Sequence, residues 1–85
     1  MGASMIDPAS GVQPWRQLVT ILTRQIETGE RTGALPGERH LAEEYGISGG
    51  SVRRALAALR EAGLIETIPG WGSRILSPEE RSAGP

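Results

Sequence analysis

Apolar side chains recur along this chain in three helical stripes, followed by two short extended runs. The first stripe is Trp15, Leu18, Val19, Leu22 and Ile26, whose steps of three, four and seven mark one face of an α-helix. It predicts a helix over 14–28, with Pro14 in a first helical position and Gly29 at the stop. Arg16, Arg24 and Glu27 then fall on its solvated side, and Trp15 joins the core. Residues 30–37 hold two glycines and a proline and read as a connector, with Ala34-Leu35-Pro36 as a short edge strand ended by the proline. A second helix is predicted over 38–45, with Leu41, Ala42 and Tyr45 on one face and His40 on the surface. Gly46 ends it in the left-handed conformation that glycine adopts without a steric penalty. Ser48 is a good N-cap for a third helix over 48–62, Ile47 can staple to Val52, and Val52, Ala55, Leu56 and Leu59 form its stripe up to the stop at Gly63. Leu64–Ile68 and Ser73–Leu76 flank Pro69-Gly70-Trp71-Gly72 and read as a β-hairpin.

The ends differ from this middle. Residues 1–13 and 77–85 are rich in Gly, Ala, Ser and Pro and are expected to be flexible, which leaves 14–76 as the folded part. The order helix, extended piece, helix, tight turn, helix, hairpin predicts a mainly α winged helix-turn-helix, three helices plus a wing, an architecture associated with DNA binding.

Composition narrows the chemistry. A chain of 85 residues supports one domain with a small core. Cysteine is absent, which excludes disulfides, thiolate catalysis and cysteine-ligated zinc, and the single His40 builds no metal site alone. No apolar run reaches the length of a membrane span and no leader pattern is present, so a cytoplasmic location is expected. No nucleophile–base–orienter set or phosphate loop is found, so neither an enzyme nor a bound cofactor is expected. Gly70-Trp71-Gly72 sits inside a predicted turn and is no dinucleotide fingerprint. The formal net charge of −1 announces no nucleic-acid partner. Its layout is uneven, however: residues 48–60 carry three arginines and no acid.

The densest signal is the segment from Leu41 to Leu56. Crossing helices need a small residue where they touch, and Ala42 supplies it. Gly46 supplies the turn, and Val52, Ala55 and Leu56 anchor the next helix so that Ser51, Arg53 and Arg54 project. An ordinary helical hairpin in a small α domain is the plain alternative on pattern alone.

Residues 14–76 resemble the N-terminal DNA-binding domain of the GntR family of bacterial transcription regulators. The residues that carry the resemblance are Leu35-Pro36-Gly37-Glu38-Arg39, Leu41-Ala42, Gly46-Ile47-Ser48-Gly49-Gly50-Ser51-Val52-Arg53-Arg54-Ala55-Leu56, Gly63-Leu64-Ile65 and Gly70-Trp71-Gly72. The resemblance implies that Arg39 is aimed at DNA, although a surface pair with Glu43 is the plainer reading of that residue. It implies phosphate and base-edge contacts for Ser48 and Ser51, base reading by Arg53, and a wing tip of Gly70 and Gly72 at the minor groove. Arg54 is a second arginine of the projecting face, ranked below Arg53. Trp71 lies either against a groove wall or folded back on the core. Arg74 beside the wing is expected at a phosphate or the minor groove, and Arg60 in solvent.

Two positions depart from the family pattern. Gly49 stands where the family usually carries a guanine-reading arginine, a contact worth about 1–3 kcal/mol of discrimination. Gly49 and Gly50 instead offer bare backbone N–H groups to a phosphate. Gly37 replaces a serine cap, at a cost of a few tenths of a kcal/mol, roughly. The expected function is therefore double-stranded DNA binding in transcription control with altered or relaxed sequence preference. The resemblance further implies a palindromic operator, bound as a homodimer or through a C-terminal domain lying outside this sequence, and the tail after Leu76 reads as a linker. A winged-helix module that binds protein rather than DNA is the rival reading, and a steep log-linear salt dependence discriminates against it.

Overall fold

The computed structural model describes residues 5–82; of the ends expected to be flexible, residues 1–4 and 83–85 lie outside the described residues. Among the described residues four helices and one hairpin follow in order: α1 (Pro14–Glu27), α2 (Glu38–Tyr45), α3 (Gly49–Glu61), β1 (Ile65–Ile68), β2 (Gly72–Ile75) and α4 (Pro78–Ser82). The core lies where α1, α2, α3 and the hairpin meet. Leu18, Leu22, Leu41, Val52, Ala55 and Leu59 are fully buried there, with Ile26, Leu35, Ile65 and Ile75 nearly so. Each buried leucine, isoleucine or valine contributes about 1.5–3 kcal/mol, which fixes the inward face of α3 and so decides which residues it turns outward.

The two strands pair antiparallel, with Ile65 opposite Ile75 and Ile68 opposite Gly72. Ile65 and Ile75 share the inner face, so the hairpin stands on the core with its tip away from it. At the tip the Trp71 N–H donates to the Ile68 carbonyl at 2.9 Å, and Gly70 has a left-handed φ of 75°. The expected edge strand is a single bridge between Ala34 and Arg74, flanked by Leu35 N–H to Ser73 O at 3.0 Å and Ile75 N–H to Gly33 O at 2.7 Å. Among the described residues no helix is long and apolar enough to cross a membrane.

Residues 5–13 and 77–82, within the ends expected to be flexible, make specific contacts. Asp7 N–H donates to Gln17 Oε1 at 2.7 Å, and the Gln17 amide donates back to the Asp7 and Val12 carbonyls at 2.9 and 2.8 Å. One α1 side chain thereby holds the preceding segment, and Ile6 packs on the core. After β2, Ser77-Pro78-Glu79-Glu80 is a capping box. Glu80 N–H donates to Ser77 Oγ at 3.2 Å, and Ser77 N–H donates to Glu80 Oε1 at 2.8 Å. That box starts α4 where a loose tail is expected.

Candidate nucleic-acid interface

The turn between α2 and α3 is built as the sequence predicts. Gly46 sits at φ 66°, ψ 37°, and the Ile47 N–H returns to the Ala42 carbonyl at 3.1 Å. Ser48 is extended and its Oγ accepts the Ser51 N–H at 3.0 Å, an N-cap that leaves the Gly49 and Gly50 N–H groups without helical acceptors. The Ser48 hydroxyl donates to Ser51 Oγ at 3.1 Å, so Ser51 keeps its own proton for another acceptor. Gly49 and Gly50 are close to the guanidinium of Arg53. A Cβ on Gly49 would lie 3.4 Å from Glu38 Oε1 and 3.8 Å from Arg53 Nη1, and one on Gly50 would lie 3.6 Å from Arg53 Nη2.

Arg53 therefore folds back over the first turn of α3, where Glu38 of α2 takes its Nη1–H at 2.7 Å. A cation at a helix N-terminus opposes the helix dipole, and the Glu38 carboxylate offsets that. The pair is largely exposed, Arg53 at 66%, so it is screened and easily exchanged for another anion. Arg39 has the loosest partner, Glu43 at 3.9 Å, and is 94% exposed. Both readings of Arg39 thus coexist: it has a weak surface partner and remains available.

Arg54 leaves α3 on the other flank and stacks on Trp15, its guanidinium carbon 4.5 Å from the ring centroid. Trp15, expected in the core, is only half-buried. It packs on the core, but its indole N–H donates to Gln13 Oε1 at 2.7 Å and its ring carries Arg54. On the wing, Trp71 is 60% exposed at the tip, so it does not fold back.

Arg74, expected at a phosphate or the minor groove, is paired with carboxylates in this structure. Alternation along β2 turns it away from Ser73, and its fork is filled by Glu66 at 2.6 Å and Glu80 at 2.7 Å. Hydrogen bonding to these carboxylates raises the Arg74 pKa above its ordinary range. The same bond from Arg74, with the Ser77 N–H, lowers Glu80 to about 2. Arg74 is a brace between the wing and α4 and is not brought together with Arg53 and Ser51.

Sequence reasoning did not single out the groove between α3 and the wing, lined by Glu38, Arg53, Arg60, Thr67, Gly72 and Ser73 among others. Arg60, expected in solvent, is exposed but donates to Thr67 Oγ1 at 2.8 Å across that groove. Also missed was Arg31 of the connector, which binds Gln25 Oε1 at 2.6 Å and Glu44 Oε2 at 2.7 Å and locks α1 to α2. No periodicity reports such pairs, because their partners are far apart in sequence. Among the described residues no cluster of His, Asp or Glu is placed to hold a metal ion.

Residues 16–75 match the family described as bacterial regulatory proteins, gntR family. An uncharacterized HTH-type transcriptional regulator of Rhizobium meliloti (strain 1021) is 39% identical over 77 residues, covering 88% of this chain and 32% of that protein. This chain thus spans about a third of that relative's length. A GntR family transcriptional regulator from Listeria monocytogenes superposes with a TM-score of 0.77 at 27% identity, over 85% of this chain and 65% of that one. AraR(DBD) in complex with operator ORX1 superposes with a TM-score of 0.73 over 82% of this chain and 89% of that one. At 23% identity that is a likeness of fold.

Proposed function

The chain belongs to the gntR family of bacterial regulatory proteins, and from that membership we propose that residues 14–76 bind double-stranded DNA sequence-specifically in transcription regulation. The observation that carries the reading is the outward face of α3. Its first turns present Ser51 and Arg53 beside two glycine N–H groups that have no helical acceptor, with Arg54 on the other flank, and Arg39 of α2 is exposed. That end of α3 enters the major groove, and the Gly70-Trp71-Gly72 tip meets the adjacent minor groove. Arg39, Ser48, Gly49, Gly50, Ser51, Arg53, Arg54 and the wing tip make the contact; Arg74 is left out because Glu66 and Glu80 fill its fork.

In this reading the domain binds and does not catalyse, needs no cofactor, and works in the cytoplasm where the DNA is. Two chains on a palindromic operator supply the affinity that one small face lacks. AraR(DBD), of like fold, is described with an operator bound, which supports duplex DNA as the ligand class. The test is selection from a randomised duplex library followed by Arg53→Ala. Selection enriches a defined duplex, and the variant loses about 5- to 150-fold on it, as expected for one base-reading arginine, but much less on a scrambled duplex. A library from which nothing is enriched overturns the reading.

A further inference from the structure

The arginines of this chain are not equally available. Arg31, Arg39, Arg53 and Arg74 each have a carboxylate within 4.0 Å. Arg16 and Arg54 form no such ion pair among the described residues, and instead both lie over the Trp15 ring, at 5.4 and 4.5 Å from its centroid. The ring is held by Gln13, and the three side chains line one open hollow together with Gly11 and Val12. The nearest acid along α3 is Glu61, which lines the next hollow with Trp15 and Arg54 but pairs with neither arginine.

Stacking engages the π face of a guanidinium and leaves its N–H donors in the plane, where they match phosphate oxygens. It also fixes a long side chain in advance, so less rotamer freedom is lost when an anion is bound. Both conditions are met here by two cations with no competing carboxylate. Their place on the fold selects the anion. Arg53 and Arg54 are successive on α3 and leave it about 100° apart. Arg53 leans toward α2 and the wing, Arg54 toward α1. A duplex that takes α3 into its major groove has a phosphate strand along each flank of that helix.

We infer that Arg16, Arg54 and Trp15 form a phosphate clamp for the DNA strand on the α1 side of the recognition helix, opposite the wing. This rests on the DNA-binding reading above and adds a second, sequence-independent contact to it. Arg54 thereby positions the domain on the backbone and does not read a base.

The test measures affinity for the selected duplex against salt for the wild-type chain, Arg16→Ala, Arg54→Ala and the control Arg24→Ala. Arg24 is an exposed α1 arginine outside the hollow, so its removal changes the net charge equally. The clamp predicts that the log–log salt slope shrinks by about 0.9 for Arg16→Ala and for Arg54→Ala, with base preference unchanged, and shrinks less for Arg24→Ala. Methylphosphonate substitution along the duplex should then find a phosphate whose neutralisation weakens the wild type and leaves Arg54→Ala unaffected. If Arg16→Ala and Arg54→Ala both behave as Arg24→Ala on a duplex the wild type does bind, the clamp is wrong while DNA binding stands. If the wild type selects no duplex, the underlying reading fails first.

Discussion

Gly49→Arg places a side chain at the first helical position of α3, where the backbone is helical and no positive φ is required. The new Cβ meets Glu38 Oε1 at 3.4 Å and Arg53 Nη1 at 3.8 Å, which are ordinary contacts rather than clashes. Replacing a helical glycine gains at most about 1 kcal/mol of propensity, and less in a first turn. A cation at the helix N-terminus costs about 0.3–1 kcal/mol, which Glu38 beneath it reduces. These terms cancel to within about 0.5 kcal/mol, so the melting temperature should move by no more than about 4 °C for a domain of this size. DNA reading should change far more. A bidentate arginine–guanine contact contributes about 1–3 kcal/mol of discrimination, or roughly 5- to 150-fold between duplexes that differ at one G·C pair. The assay is parallel selection with wild type and variant, followed by anisotropy titration of the two winning duplexes, each with that pair intact and replaced. A variant that selects the wild-type sequence with the same single-pair penalty refutes the placement of position 49 at a base edge. A stability loss of about 2 kcal/mol or more refutes the packing argument.

Other outcomes follow from single contacts. Ser48→Ala removes the cap on the Ser51 N–H and should cost about 1 kcal/mol, lowering the melting temperature by about 4–8 °C in a thermal scan. Trp71→Ala, at an exposed wing tip, should leave stability within about 0.5 kcal/mol yet weaken duplex binding in titration; an unchanged affinity would place the wing off the DNA. Glu80 is held at about 2 in the folded chain, below its ordinary carboxyl value. Its contribution to docking α4 is therefore fully present above that ordinary value and is lost as pH falls through about 2, which carbon-detected NMR titration of its side-chain carboxyl should follow.

Helices α1 to α3 and the hairpin were legible because each announces itself locally. The α3 stripe of Val52, Ala55 and Leu59 is buried as its spacing predicts, and Gly46 takes the left-handed turn that its position demands. What escaped depends on distant partners. Gln17 gathers the segment before α1, and Glu38 holds Arg53 fifteen residues away. The partners of Arg74, Glu66 and Glu80, were not legible because adjacency to the wing says nothing about the strand face it occupies. The capping box at Ser77 could have been read, since a serine followed by proline and two glutamates carries that signature whatever the surrounding composition.

Electrostatics also looks different once the fold is known. The basic run in α3 is partly answered by Glu38 on Arg53, while Arg54 on the Trp15 side and Arg60 on the wing side have no carboxylate partner among the described residues. A whole-chain charge of −1 therefore coexists with a face that can meet phosphates.

The central claim is that this face grips duplex DNA and reads it. Affinity measured against salt concentration, for the selected duplex and for its scrambled counterpart, tests that most directly. The account predicts a log-linear fall for both, with a slope of about −0.9 per phosphate engaged, and tighter binding to the selected duplex at every salt concentration. Equal affinity for the two duplexes, or no binding to either at low salt, would contradict it.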